Sequence, residues 1–143
     1  MERKVEMNIF NYLTPKSETF YLEHNCTIRQ ALEKFDNHKF TIVPLLDKQG
    51  KYVTTLSCGD LLRYIKNDLN FDVSKAENTT VDRIEKYRPY KYLTISANIS
   101  EVYLLSLEQN FVPIVDDRMM YIGIIKRKDV IKYIFTKYDV LED

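Results

Sequence analysis

Lys126-Arg127-Lys128-Asp129 sets three cations ahead of a carboxylate where the apolar pattern reads as the start of a helix. The positive end of the helix macrodipole disfavours each cation there by roughly 0.3–1 kcal/mol. Helix end and cations together make a site for an anion such as phosphate. The competing reading is a charge run that points to solvent. Ser57-Cys58-Gly59-Asp60 places a hydroxyl and a carboxylate at the start of an earlier helix. That spacing fits a capping box, which stabilises the helix and binds nothing, and it also leaves both groups usable by a ligand. In the later segment Lys126 stands where Ser57 stands and cannot accept a backbone N–H, yet Asp129 remains. A capping box accounts for Asp60 but not for Asp129.

Phe40-Thr41 precedes an apolar strand, where the ring belongs either to the core or over a flat ligand. Glu18, Asp60 and Asp129 are available carboxylates, but no nucleophile, base and orienting group stand at motif spacing, so no catalytic residue and no enzyme is expected. Cys26 and Cys58 lack CxxC spacing and read as reduced thiols; His24 and His38 lack a second ligand, so neither metal nor cofactor is expected. The tyrosines around Arg88-Pro89 (Tyr87, Tyr90, Tyr92) could suggest stacking on nucleic acid. Lys and Arg number 21 against 21 Asp and Glu, so no basic stripe supports that. With 45% hydrophobic residues in 143, a real core is expected, and disorder is not. The N-terminal residues show no signal peptide and no segment reads as a membrane span, so a cytoplasmic protein is expected, without nucleic acid or membrane as partner.

The elements that must position these groups come as a duplication. Phe10, Leu13 and Leu22 recur as Val81, Ile84 and Leu93 at a shift of 71, and Thr27 to Ala31 recur as Asn98 to Val102. Val43-Pro44-Leu45-Leu46-Asp47 recurs as Val112-Pro113-Ile114-Val115-Asp116 at a shift of 69, which also carries Asp60 onto Asp129. Each copy opens on a short amphipathic helical turn, Asn8 to Leu13 and Thr80 to Tyr87. Strands follow at Thr19–Leu22 and Tyr90–Ile95. A helix then runs from the Thr27 cap to about Phe35 with Ile28, Ala31, Leu32 and Phe35 inward. Its counterpart runs from Asn98 to Glu108 with Ile99, Val102, Tyr103 and Leu107 inward. Strand pairs follow at Thr41–Leu46 with Tyr52–Leu56, and at Phe111–Val115 with Met120–Ile125. Helices from Gly59 to about Lys66 and from Arg127 to about Tyr138 close the copies. Residues 8–66 and 80–138 are the repeats, and polar 67–79 is the linker. The fold class is α+β (mixed α/β), β-α-β-β-α twice.

Ile42 to Asp47 with Gly50 to Leu62, and Val112 to Asp117 with Tyr121 to Val130, resemble the repeated motifs of a tandem CBS domain pair, the Bateman module. The resemblance covers about Asn8 to Tyr138, and is to stand-alone bacterial CBS-pair proteins with no attached domain. It implies two pseudo-symmetric repeats packed sheet to sheet and two ligand sites in the cleft between them. Carried over, one site takes Thr19, Phe20, Tyr21, Phe40, Thr41, Ile42 and Val43 with Lys126, Arg127, Lys128 and Asp129. The other takes Tyr92, Leu93, Asn110, Phe111 and Val112 with Ser57 and Asp60. An adenine nucleotide suits these groups: apolar side chains cover the base, a carboxylate meets ribose, and a helix start receives phosphate. Lys126 in place of Ser or Thr shifts the expectation toward a phosphate-rich or two-part nucleotide such as cyclic di-AMP, with AMP, ADP and ATP the other candidates. The implied function is a regulatory module without catalysis that signals to a protein partner; the alternative is a structural dimerisation module with no small ligand. The late helix, with Val130, Ile131, Ile134, Phe135 and Tyr138, reads as core plus the surface of a homodimer.

Overall fold

A computed structural model of the chain describes residues 8–38, 40–86 and 89–137. The expectations at Tyr87, Arg88, Tyr138 and the first seven residues lie outside these. Among the described residues the strands are β1 (Thr14–Pro15), β2 (Leu22–Glu23), β3 (Ile42–Leu46), β4 (Tyr52–Ser57), β5 (Leu93–Thr94), β6 (Phe111–Val115) and β7 (Tyr121–Lys126). The helices are α1 (Ile28–His38), α2 (Cys58–Asn67), α3 (Val73–Ala76), α4 (Ile99–Ser106) and α5 (Arg127–Lys137). The fold is mixed α/β with two sheets, of order β2-β3-β4 and β1-β7-β6-β5.

The duplication is visible bond by bond. Thr27 and Gln30 cap α1 reciprocally, and Asn98 and Glu101 do the same for α4, 71 residues on. Asp47 closes the β3–β4 turn by accepting from the amides of Gln49 and Lys51, as Asp116 does from Arg118 and Met120. Both proline-bearing strands solve the missing N–H alike. The parallel partners β2 and β5 cover only Leu45–Leu46 and Ile114–Val115, so Pro44 and Pro113 sit where one side of the strand is unpaired.

The chain divides into two compact units that do not follow the repeats: a central unit, Phe20 to Tyr90, and a terminal unit that joins the residues through Thr19 to those from Lys91. Each repeat's leading turn packs on the other repeat's body. Ile9, Phe10 and Tyr12 join the core of Val102, Ile114, Ile125 and Tyr133, while Val81 and Ile84 join that of Ile28, Val43 and Leu56. The short strand β1, absent from the sequence expectation, adds to β7 with Pro15 opposite Gly123.

Other expectations are corrected. The strands at Thr19–Leu22 and Tyr90–Ile95 shrink to β2 and β5. Leu32, Tyr103 and Leu107 are exposed rather than inward, and Ser106 is buried on α4 instead. A helix period marks a face but not its width; the sheet covers only the arc it touches. The polar linker is structured: Leu69 and Ala76 enter the central core and Asp72 caps α3.

Candidate functional site

In the central unit the chain leading into β3 lies beside the start of α2, because Ile42 pairs with Ser57 and the Cys58 amide donates to the Thr41 carbonyl at 2.8 Å. Phe40 is 46% exposed, so it is not a core residue. Its ring stacks on Phe20 with centroids 5.1 Å apart and planes 14° from parallel, and Phe20 lies 4.6 Å from the His38 ring. Three rings thus form a surface stack. His38 was not among the expected site residues, although a histidine two residues before Phe40 was its available signal. Tyr21 and Thr41 are exposed, whereas Val43 is fully buried and can offer a ligand only its backbone.

Ser57 and Asp60 form the capping box. The Asp60 amide donates to Ser57 Oγ and the Ser57 amide to Asp60 Oδ2, each at 3.0 Å, while Arg63 donates to Asp60 Oδ1 at 2.7 Å. Both carboxylate oxygens of this buried side chain are engaged. Ser57→Ala is therefore expected to cost about 1 kcal/mol, roughly 3 °C in Tm by calorimetry, and an unchanged Tm would remove the cap from the account. Lys86, which the sequence did not single out, is half-buried and donates to the Ile84 carbonyl at 2.7 Å. Burial lowers its pKa, opposed by the charges of Asp60 and Asp82.

In the terminal unit, Phe111 pairs with Lys126, and the Arg127 amide donates to the Asn110 carbonyl at 2.9 Å. α5 therefore starts beside Asn110–Val112, just as α2 starts beside Thr41. It starts without a cap: no side chain among the described residues accepts the Lys128 or Asp129 amide, whereas α1, α2 and α4 are each capped reciprocally. Lys126 and Asp129 are half-buried, Lys128 is exposed, and none has an ion-pair partner among the described residues. Arg127 differs. Its Nε donates to the Ser106 carbonyl at 2.6 Å, which satisfies the C-terminal end of α4 with a cation where the dipole welcomes one.

Thr19 falls in this unit, and its hydroxyl is used twice, donating to the Lys16 carbonyl and accepting from the Tyr121 hydroxyl, both at 2.9 Å. Buried Gln109, absent from the sequence expectation, holds Lys91 by both backbone groups. Tyr92 and Asn110 are exposed, while Val112, like Val43, is fully buried.

Within the units, then, the structure gathers Phe20, Tyr21, Phe40, Thr41 and Ile42 with Ser57 and Asp60, and separately Tyr92, Asn110 and Phe111 with Lys126 to Asp129. The first group can stack a flat ring; the second can receive an anion. Cys26 is a poor nucleophile, since burial, reinforced by Glu23, pushes its thiol to about 11. Burial also raises Cys58. No group of three His, Cys, Asp or Glu able to hold a metal ion occurs among the described residues, and no described helix is long and apolar enough to cross a membrane.

The family model of the CBS domain matches residues 12–67 and 84–136. Solved structures similar to the chain include CbpB in complex with c-di-AMP, at 20% identity and a TM-score of 0.82, covering 94% of this chain and 88% of that one. The Listeria monocytogenes CbpB protein in complex with c-di-AMP shares 16% identity at a TM-score of 0.81, covering 94% and 100%. CBSX2 in complex with AMP shares 23% identity at a TM-score of 0.69, covering 90% and 96%. No curated protein matches the chain.

Proposed function

The chain belongs to the CBS-domain family, and we propose that it is a non-catalytic regulatory module that binds an adenine nucleotide, cyclic di-AMP or AMP, ADP or ATP, and signals its occupancy to a partner protein. The observation that carries this reading is the uncapped, cationic start of α5. Amides that no described side chain caps, the macrodipole, and two lysines without an ion-pair partner among the described residues suit phosphate at this helix end, where Asp129 is the carboxylate of the first turn. Within the central unit, the stack of half-buried Phe20 on exposed Phe40 independently supports a ligand with a flat base, since a purine face adds to an aromatic face at about 1–3 kcal/mol. The c-di-AMP and AMP named for the similar structures support the choice of nucleotides to test. The protein is further proposed to be cytoplasmic and to act as a homodimer.

Calorimetry and thermal shift against cyclic di-AMP, AMP, ADP and ATP test this directly. Ligand in hundredfold excess over Kd should add about 2.7 kcal/mol and raise Tm by several degrees. No heat and no shift at millimolar concentrations of any of them would leave the structural dimerisation module as the reading. Phe40→Trp gives a sharper readout, because the chain has no tryptophan. Nucleotide should quench that single fluorophore with affinity close to the parent's, while Phe40→Ala should bind about tenfold more weakly. Full affinity in Phe40→Ala would take the base off this ring.

A further inference from the structure

Asp60 is the buried carboxylate of the central unit, and its capping box uses one oxygen: Oδ2 accepts from the Ser57 amide. The other, Oδ1, accepts from Arg63 Nη2 at 2.7 Å. Side chains on an α-helix lean toward its N-terminus, so Arg63 reaches back over the first turn of α2. A Cβ on Gly59 would stand 3.6 Å from Arg63 Nη1, which puts the guanidinium above that glycine. The same turn borders the ring stack. Cys58 donates its amide to the Thr41 carbonyl and, at 3.8 Å, its thiol to the Phe40 carbonyl.

Arg63 is thus a cation folded back over the positive end of a helix, where the macrodipole opposes it. Asp60 holds it there, yet the Arg63 side chain is half in water while that of Asp60 is buried. An i,i+3 pair of that kind is held by a modest free energy, so a better acceptor can draw the guanidinium away. The second repeat lacks the contact. The shift of 69 carries Arg63 onto Lys132 and Asp60 onto Asp129, and neither has an ion-pair partner among the described residues.

We infer that Arg63 is the specificity-determining residue of the central unit: it covers Asp60 until a nucleotide phosphate draws it away, so this unit admits nucleotides and refuses nucleosides. The inference rests on the nucleotide-binding reading and names the group that enforces it. A ribose diol donates to a carboxylate, and the oxygen outside the cap is the one Arg63 holds. A nucleoside must break that pair and offers the guanidinium no anion in return. A 5′-phosphate does, and the planar fork of a guanidinium meets two phosphate oxygens at once. Lys86, half-buried and with its charge acting on Asp60, compensates the carboxylate while Arg63 is engaged elsewhere.

Fluorescence titration tests this, with AMP and adenosine as probes and Phe40→Trp present in every protein compared. That tryptophan would be the only one in the chain and lies in the central unit. With Arg63 in place, AMP should bind about a hundredfold more tightly than adenosine. Arg63→Ala should bind AMP about tenfold more weakly and adenosine about tenfold more tightly, which closes the gap. Arg63→Lys keeps the charge without the fork and should fall between the two; it also carries the test should Arg63→Ala fail to fold. An Arg63 that only supports the helix would weaken both probes by the same factor, and an unchanged ratio of the two affinities overturns the inference. Calorimetric heat from AMP without any change in fluorescence places the nucleotide elsewhere, which overturns the inference and leaves the nucleotide reading standing. Neither heat nor quenching with AMP, adenosine or cyclic di-AMP sinks the nucleotide reading itself, and this inference with it.

Discussion

Gly123→Ala is expected to destabilise the protein by about 3 kcal/mol or more, lowering Tm by about 10 °C. β1 crosses β7 so closely that a Cβ on residue 123 would stand 2.1 Å from the Thr14 carbonyl oxygen and 3.1 Å from Pro15 Cα. Both are backbone atoms, so no side-chain rotation relieves the clash. The backbone there has φ +153°, which side-chain-bearing residues rarely adopt. Either β1 leaves β7 or the β6–β7 hairpin distorts. The equivalent position in the first repeat is Thr54, on the outer side of β4, where no strand pairs among the described residues. Thr54→Ala is the matched control and should stay within about 1 kcal/mol of the parent. Equal melting temperatures for Gly123→Ala and the parent would mean that β1 does not approach β7 as described.

The double substitution Lys126→Ala with Lys128→Ala is expected to weaken nucleotide binding about a hundredfold or more while leaving the free protein as stable as the parent or slightly more so. A charged hydrogen bond is worth roughly 1.5–3 kcal/mol, and two are removed. Stability should move the opposite way, because two cations no longer oppose the α5 macrodipole, a gain of a few tenths of a kcal/mol or more. Arg127→Ala should separate from this pair. Its Nε satisfies the Ser106 carbonyl, so its removal should cost about 1 kcal/mol of stability whatever it does to affinity. Titration calorimetry at two salt concentrations, with melting curves of the free proteins, reads all of these. Parental affinity together with a raised Tm in the double variant would show lysines that merely sit in solvent.

The chemistry of these groups was legible in the chain to the extent that it is local. Hydrogen bonds between residues two to four apart need no third party, so the spacing of Ser57 and Asp60 announces their capping box and Thr27 reads as a cap, while the structure adds Gln30 as its partner and the Asn98–Glu101 box. The hairpins β3–β4 and β6–β7 are equally local, their apolar runs bracketing polar turns, and the observed strands differ from the expected ones by a residue at most. The shift of 71 and then 69 specifies the repeated organisation by itself.

Tertiary structure decided whatever depends on which side of an element is covered. The helix period placed Leu32, Tyr103 and Leu107 on an inward face, yet the sheets reach only the arc around Ile28 and Ala31 on α1 and around Val102 and Ser106 on α4. The place of Phe40 before a buried strand leaves its ring either to the core or over a flat ligand, and the fold exposes it and stacks it on Phe20. Arg127 reads as one of three equivalent cations until the end of α4, twenty-one residues earlier, presents the Ser106 carbonyl to its Nε. The turn at Ile9–Tyr12 and the strand β1 belong by sequence to the first repeat and by packing to the second, because the apolar surface they cover is offered by Val102 and Tyr133. Hydrophobic burial has no direction along the chain, so sequence marks which side chains leave water and only the folded molecule determines against what.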